Sequence, residues 1–227
     1  NFVIFLVDSS RLKSLGSTMS IRDERKQQSR QALLDAALSL STSGRSFSSI
    51  SLREVAREVG LVPTAFYRHF QDMDELGQEL VDQVALYLKN VMHQLGQGLA
   101  HAEANPEMSI ELFFDAIDQS PTPWIFMIAE RWGGSEMVRR AIAREIDFLN
   151  IDLAEDLRKF EIVQNFDHGD DLKVLANILI NLCFTWAMSW ISLGRQYSGM
   201  ELELQKLVLK KQSITQIKLI FKGISNW

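Results

Sequence analysis

Apolar residues recur along this chain at three- and four-residue steps, and nowhere does a convincing every-second-residue alternation mark a half-buried strand. The longest run is Leu76, Leu80, Val84, Leu88, Val91, Leu95 and Leu99, one continuous helical face. Ahead of it, Leu33, Leu34, Ala37 and Leu40 line a helix over Asp23 to Leu40, broken at Gly44-Arg45-Ser46. Phe47 and Ile50 are expected to pin the following loop to a small three-helix core. Behind the long run, Asn105-Pro106 and Thr122-Pro123 each read as a helix cap followed by proline at the first helical position, where a missing N–H is harmless. They open helices carrying Ile110, Phe113, Phe114 and Ile117, then Trp124, Phe126, Met127 and Ile128. A stripe of Val138, Ile142, Ile146, Leu149, Leu153 and Leu157 follows between about Ser135 and Phe160, and two more helices cover about Asp170 to Leu193 and Met200 to Phe221. The fold class this pattern predicts is all-α: three short helices, a long connector and five more.

The most informative stretch is Ser51 to Phe70, SLREVAREVGLVPTAFYRHF. Ser51 and Glu54 form an S-x-x-E capping box, and Ile50 and Val55 stand where a hydrophobic staple would fix the entry angle. Gly60 supplies the left-handed residue that ends a helix. Leu61 anchors a turn, Pro63 takes a first helical position, and Thr64 to His69 make a second helix. Small Ala56 lets the two helices cross closely, as a helix-turn-helix requires. After Phe70, Asp72 is placed to cap the long helix with Glu75 as its box partner.

Charge sharpens this. The chain of 227 residues has a net charge of −5, yet residues 19–70 hold eight basic against five acidic side chains, and residues 71–227 hold fourteen against twenty-three. A basic N-terminal third on an acidic body favours phosphate contact at one end only. One cysteine, Cys183, rules out an internal disulfide and a multi-Cys zinc site, and suits a reducing cytoplasm. The apolar stretch Val174 to Leu193 is interrupted by Asn177, Asn181, Thr185, Ser189 and Ser192, which favours a buried helix over a membrane span. Residues 1–18 match nothing downstream and lack the features of a secretory signal, and Met19 reads as a natural start. The expected organisation is an upstream extension (1–18), a basic helix-turn-helix domain (19–71) and an acidic helical body (72–227).

The run Tyr67-Arg68-His69-Phe70, followed by Asp74-Glu75-Leu76, resembles the end of the helix-turn-helix in the TetR family of bacterial repressors, and the helix count resembles that family over residues 20–222. Ser51–Leu76 and the run RRAIAREIDF at 139–148 are similar to the subgroup that represses unsaturated fatty-acid synthesis genes. The resemblance implies a homodimer, paired through its last two helices, on a palindromic double-stranded operator with half-sites roughly 34–36 Å apart. It implies that Pro63, Thr64 and Ala65 approach base edges and that Tyr67 and His69 bind phosphate. Arg53 and Arg68 are candidates for phosphate or guanine, and Ser51 joins this set at the start of the first helix. Phe66 and Phe70 face the core. Two departures stand out: Val62 lacks a capping oxygen, and acidic Asp74 stands near a common phosphate-binding Lys. Arg45 is a possible substitute clamp.

A second set, Phe113, Ile117, Trp124, Met127, Ile128, Arg131, Phe148, Trp186 and Trp190, with Phe126, Trp132 and Met188 beside them, is either plain core or the lining of an effector pocket. The subgroup resemblance implies a hydrophobic effector, an acyl-CoA or acyl carrier protein thioester, with Arg131, Arg139, Arg140 and Arg144 as candidates for its phosphates or as ordinary surface salt bridges. The polar steps Asn177, Asn181, Thr185 and Ser189 are expected to divide between a pocket and a partner subunit. His69, His93, His101 and His168 have no metal-ligand spacing, and neither a Gly-rich phosphate loop nor a G-x-S-x-G elbow occurs, so no catalytic residue, metal or cofactor is expected. The expected function is a ligand-responsive cytoplasmic repressor of lipid-metabolism genes. A drug or xenobiotic sensor of an efflux gene is the alternative, and a helical lipid-binding protein that does not touch DNA is the rival from another class.

Overall fold

The structure, a computed structural model, describes residues 20–100, 106–159, 163 and 169–224, with the side chains of 98–100, 106 and 169 excepted. Residues 1–18, Met19, the Leu99 side chain, His101, the cap at Asn105, Phe160 and His168 lie outside the described residues. Nine α-helices and no strand occur among the rest. They are α1 (Ile21–Thr42), α2 (Leu52–Glu58), α3 (Pro63–Phe66), α4 (Met73–Ala100), α5 (Pro106–Gln119), α6 (Pro121–Glu130), α7 (Glu136–Leu157), α8 (Gly169–Gln196) and α9 (Gly199–Ile224).

The caps explain the boundaries. Ser20 opens α1 by accepting the Arg22 N–H at 3.1 Å, and Ser135 opens α7 by accepting that of Val138 at 3.3 Å. Three expectations shift. The long helix is capped by Asp72, whose Oδ1 accepts the Glu75 N–H at 2.9 Å, but the Glu75 carboxylate takes the Gln71 N–H at 2.5 Å in place of that of Asp72. The box is therefore displaced by one residue. Helix α6 begins at Pro121 with Ser120 at the cap, ahead of Thr122-Pro123. Both prolines fit a first turn whose N–H groups have no intrahelical acceptor, and the earlier one sets the start. Finally, α3 ends at Phe66, and residues 67–69 continue as tight turns closed by His69 N–H to Phe66 carbonyl at 2.8 Å and Arg68 N–H to Ala65 carbonyl at 3.2 Å.

Helix α4 is the spine. It packs on α1 near its start and on α5, α6 and α7 further along, while α8 packs on α5, α6, α7 and α9. One hydrophobic core runs from Leu33 of α1 to Ile217 of α9. Helix α8 is long and apolar enough to cross a membrane by length and composition, the polar interruptions notwithstanding, but its Ile180, Trp186, Ala187 and Trp190 are buried inside the bundle. The Phe47 ring does more than pin a loop to the small core: it reaches across to α6, edge-on to Phe126 at 6.4 Å between centroids.

Candidate nucleic-acid interface

The helical pair at 51–70 is built from its caps inward. Ser51 Oγ accepts the Glu54 N–H at 3.3 Å, and the Glu54 carboxylate accepts the Ser51 N–H at 2.9 Å and hydroxyl at 2.8 Å. Arg45 closes on the same carboxylate at 2.9 Å. The Arg45 bond first, then the Ser51 bonds, hold the Glu54 carboxyl down at about 2. At the other end Gly60 adopts φ +69°, where a side chain would cost roughly 1–2 kcal/mol, and the Leu61 N–H returns to the Ala56 carbonyl at 2.8 Å. Val55, Ala56, Phe66 and Phe70 are all buried, so the two helices share one small core. No side chain caps α3 at Val62.

That packing decides what faces out. Arg53, Pro63, Thr64, Tyr67 and Arg68 are exposed, and Ala65 is half-buried beside them. Tyr67, 62% exposed as a residue, leans its ring edge-on against Phe66 at 5.9 Å. The Ser51 hydroxyl is committed to its cap. His69 is half-buried, and its Nδ1 is buried with no hydrogen-bond partner. Desolvation first, then the charges of Arg30, Lys26 and Arg68, lower the pKa of that imidazole. Nε2 is the ring nitrogen left open to a partner.

The cations sort into two groups. Arg22, Arg25, Lys26, Arg53, Arg57 and Arg68 are exposed and make no salt bridge among the described residues. Arg57 was not a sequence candidate, although its place one turn after Arg53 on α2 puts both on one face. Arg45 and Arg30 are spoken for. Arg45 donates to Glu54 and to the Ser49 carbonyl at 2.6 Å, so it does not serve as a free phosphate clamp. Arg30 forks onto Glu79 of α4, with Nε at 2.9 Å from Oε1, donates to the His69 carbonyl, and lies 4.1 Å over the Phe70 ring. It binds α1, the end of the α3 turn and α4 together, a positioning role that a count of basic residues cannot reveal.

The second candidate set lies in the body. Phe113, Ile117, Trp124, Met127, Trp186 and Trp190 are buried, and Ile128 and Arg131 are half-buried. Their rings pack on one another: Phe113 on Trp124 at 5.4 Å and on Trp186 at 5.9 Å, and Trp190 stacked on Phe114 at 4.2 Å. Trp186 Nε1 donates to Gln216 at 2.6 Å and Trp190 Nε1 to Asp118 at 2.8 Å. Phe148, Trp132 and Met188 are exposed, Phe148 in a groove with Leu86, Lys89 and Ile151 between α4 and α7. A separate apolar cavity of about 40 Å³ is lined by Met92, Leu95 and Gly96 of α4, Leu153 of α7, Cys183 and Trp186 of α8 and Ile217 of α9. Only Trp186 of the nine candidates lines it. Burial pushes the Cys183 thiol up to about 12, which leaves it an inert apolar wall. Of the four arginines, Arg140 pairs with Glu136, Arg144 with Asp82 and Glu145, and Arg139 donates to the Gly133 carbonyl, while Arg131 lies 6.0 Å from the Phe184 ring. No group of His, Cys, Asp or Glu among the described residues is arranged to hold a metal ion.

Residues 33–80 match the family model of bacterial regulatory proteins, tetR family. Solved structures share the fold over most of the chain. A transcriptional regulator from Rhodococcus sp. Rha1 superposes with a TM-score of 0.60 at 16% identity, covering 86% of this chain and 97% of that one. A transcriptional regulator from Aquifex aeolicus VF5 gives 0.55 at 19% identity over 84% and 98%. A TetR transcriptional regulator from Legionella pneumophila gives 0.54 at 16% identity over 88% and 99%. The α2–turn–α3 geometry therefore lies within a stretch that carries a tetR-family N-terminal domain, set on a body of the same all-α architecture.

Proposed function

We propose that this chain, with its tetR-family N-terminal domain at residues 33–80, is a homodimeric cytoplasmic repressor that reads a palindromic DNA operator and answers to an apolar effector. The observation that carries the reading is the exposed, unpaired face of Thr64, Tyr67, Arg68, Arg53 and Arg57 on a helical pair whose apolar residues are all turned inward. Thr64 contacts a base edge through its hydroxyl or methyl, flanked by Pro63 and Ala65, and Tyr67, His69 and the free arginines hold phosphates. The dimer is supported by the outer faces of α8 and α9. They leave Val174, Ile178 and Met188, and Leu204, Val208 and Leu219, in solvent at three- to four-residue steps or their multiples, a pattern a two-fold partner would cover.

For the effector we propose a fatty-acyl thioester, whose chain end enters the α4–α7–α8–α9 cavity and whose product genes belong to lipid metabolism. Support comes from a lining without a charged side chain and with a flexible Met92, and from Arg131, which has no salt bridge among the described residues. A cationic drug would want a carboxylate in that lining, and none is there.

Selection of duplexes from a random pool tests the first half. Thr64→Ala should relax the base preference by about 1–3 kcal/mol at one position per half-site, whereas Arg68→Ala should weaken all duplexes alike. A folded dimer indifferent to both substitutions would refute DNA reading by this face. Titration of oleoyl-CoA against tryptophan fluorescence tests the second half, since Trp186 lines the cavity. A response to a hydrophobic cation and none to oleoyl-CoA would move the effector to the drug class.

A further inference from the structure

Glu130, the last residue of α6, is 1% exposed and gives the body a polar grip on the loop between α1 and α2. Its Oε1 accepts the N–H of Phe47, in the loop between α1 and α2, at 2.7 Å. Its Oε2 is buried with no partner, and no salt bridge to Glu130 occurs among the described residues. A buried carboxylate with one oxygen unsatisfied is expensive, so a fold that keeps one must gain something else from it.

The surroundings say what. The Phe47 ring is wedged into the body: a β-carbon added at Gly77 of α4 would meet its Cε1 and Cζ at 2.9 Å, and it packs edge-on to Phe126 of α6. The turn after α6 also closes over the joint. A β-carbon at Gly133 would meet Glu130 Oε2 at 2.0 Å, and one at Gly134 would meet Ser48 Oγ at 2.3 Å. Arg139 holds that turn by donating to the Gly133 carbonyl at 2.6 Å. Side-chain-free backbone at three positions, a wedged ring and one buried hydrogen bond thus hold the α1–α2 loop against α4 and α6, in addition to the Arg30–Glu79 and Gln31–Gln83 contacts that tie α1 to α4.

We infer that Glu130 is a positioning residue for DNA recognition: its bond to Phe47 sets the angle of the reading head on the body and with it the half-site spacing that a dimer accepts. The inference rests on the repressor reading above. Glu130 touches no DNA in this scheme. It acts through Phe47, whose N–H it holds at 2.7 Å.

The test uses the full-length dimer and duplexes selected from a random pool by the wild-type chain, rebuilt with the spacer between half-sites lengthened or shortened one base pair at a time, alongside a duplex with one half-site. Glu130→Ala removes the acceptor, and Glu130→Gln keeps it while replacing the carboxyl with an amide. Glu130→Ala should lose at least tenfold in affinity for the best-spaced duplex, keep its affinity for the single half-site within twofold, and flatten the spacer profile. Glu130→Gln should retain or sharpen the wild-type profile, and the Phe47 amide should exchange with solvent faster in Glu130→Ala than in wild type or Glu130→Gln. A merely structural loss would weaken both duplex types equally. If Glu130→Ala fails to fold, Glu130→Gln and Gly77→Ala, which displaces the Phe47 ring, carry the same comparison. A wild-type dimer that enriches no duplex overturns the repressor reading and this inference with it. A wild-type spacer preference that Glu130→Ala or Gly77→Ala shares unchanged overturns the inference alone.

Discussion

Replacing Arg30 by Ala removes a guanidinium that touches three elements at once. Two bonds to the Glu79 carboxylate, one to the His69 carbonyl and a stacking contact 4.1 Å over Phe70 are lost together. Charge-assisted bonds of this kind contribute about 1.5–3 kcal/mol each where they are dry. Here the Arg30 and Glu79 side chains are 26% and 35% exposed, so solvent screening cuts the ion-pair part to about 1 kcal/mol. The cation–π contact adds about 0.5–1 kcal/mol. The expected loss is therefore about 2 kcal/mol, or a drop in Tm of about 4–8 °C for a chain of this size. Arg30→Lys keeps the charge but not the fork, and should recover less than half of it. Thermal unfolding of the two variants at one fixed protein concentration measures this, because dimer stability is concentration-dependent. A cycle with Glu79→Gln should return a coupling of about 1 kcal/mol. An Arg30→Ala chain within about 1 °C of wild type would show that the fork carries no net stability, and the account of how the α3 turn is held would fail.

Two further outcomes follow from single residues. Gly96 lies inside α4 on the cavity wall, and a β-carbon there meets nothing within 4 Å, so Gly96→Ala should stabilise the fold by about 0.5–1 kcal/mol. Thermal unfolding of Gly96→Ala against wild type checks this, and a lower Tm would contradict open space at that position. For His69, the folded-state pKa lies below the ordinary 6.5, so the unfolded chain takes up the proton first as pH falls. Its contribution to stability should be complete above 6.5 and decline as pH drops through the folded-state value. Denaturation between pH 7.5 and 5 should show that slope, and His69→Gln should flatten it; an equal slope in both chains would contradict a desolvated imidazole.

The reading head was largely legible because its determinants are local. A capping box spans four residues, a left-handed glycine acts on its own backbone, and an apolar face is a spacing; Ser51, Glu54, Gly60, Pro63, Phe66 and Phe70 all stand as that logic requires. Local logic failed where two signals competed within a few residues. Pro121 overrode Thr122-Pro123, and Gln71 took the bond expected at Asp72.

By itself, then, the sequence determined the all-α class, the order of the helices and the frame of the α2–turn–α3 pair, since helical periodicity and caps are written in neighbours along the chain. Only the tertiary structure decided which charges were available. Arg30 and Arg45 counted as basic residues until Glu79, 49 positions away, and the capped Glu54 claimed them. It likewise decided that Trp124, Trp186 and Trp190 pack as core, with Trp186 lining a small cavity beside Gly96 and Cys183, and that Glu130 meets Phe47 across 83 residues. Pairing between distant groups depends on how helices cross, and no spacing along one helix encodes that.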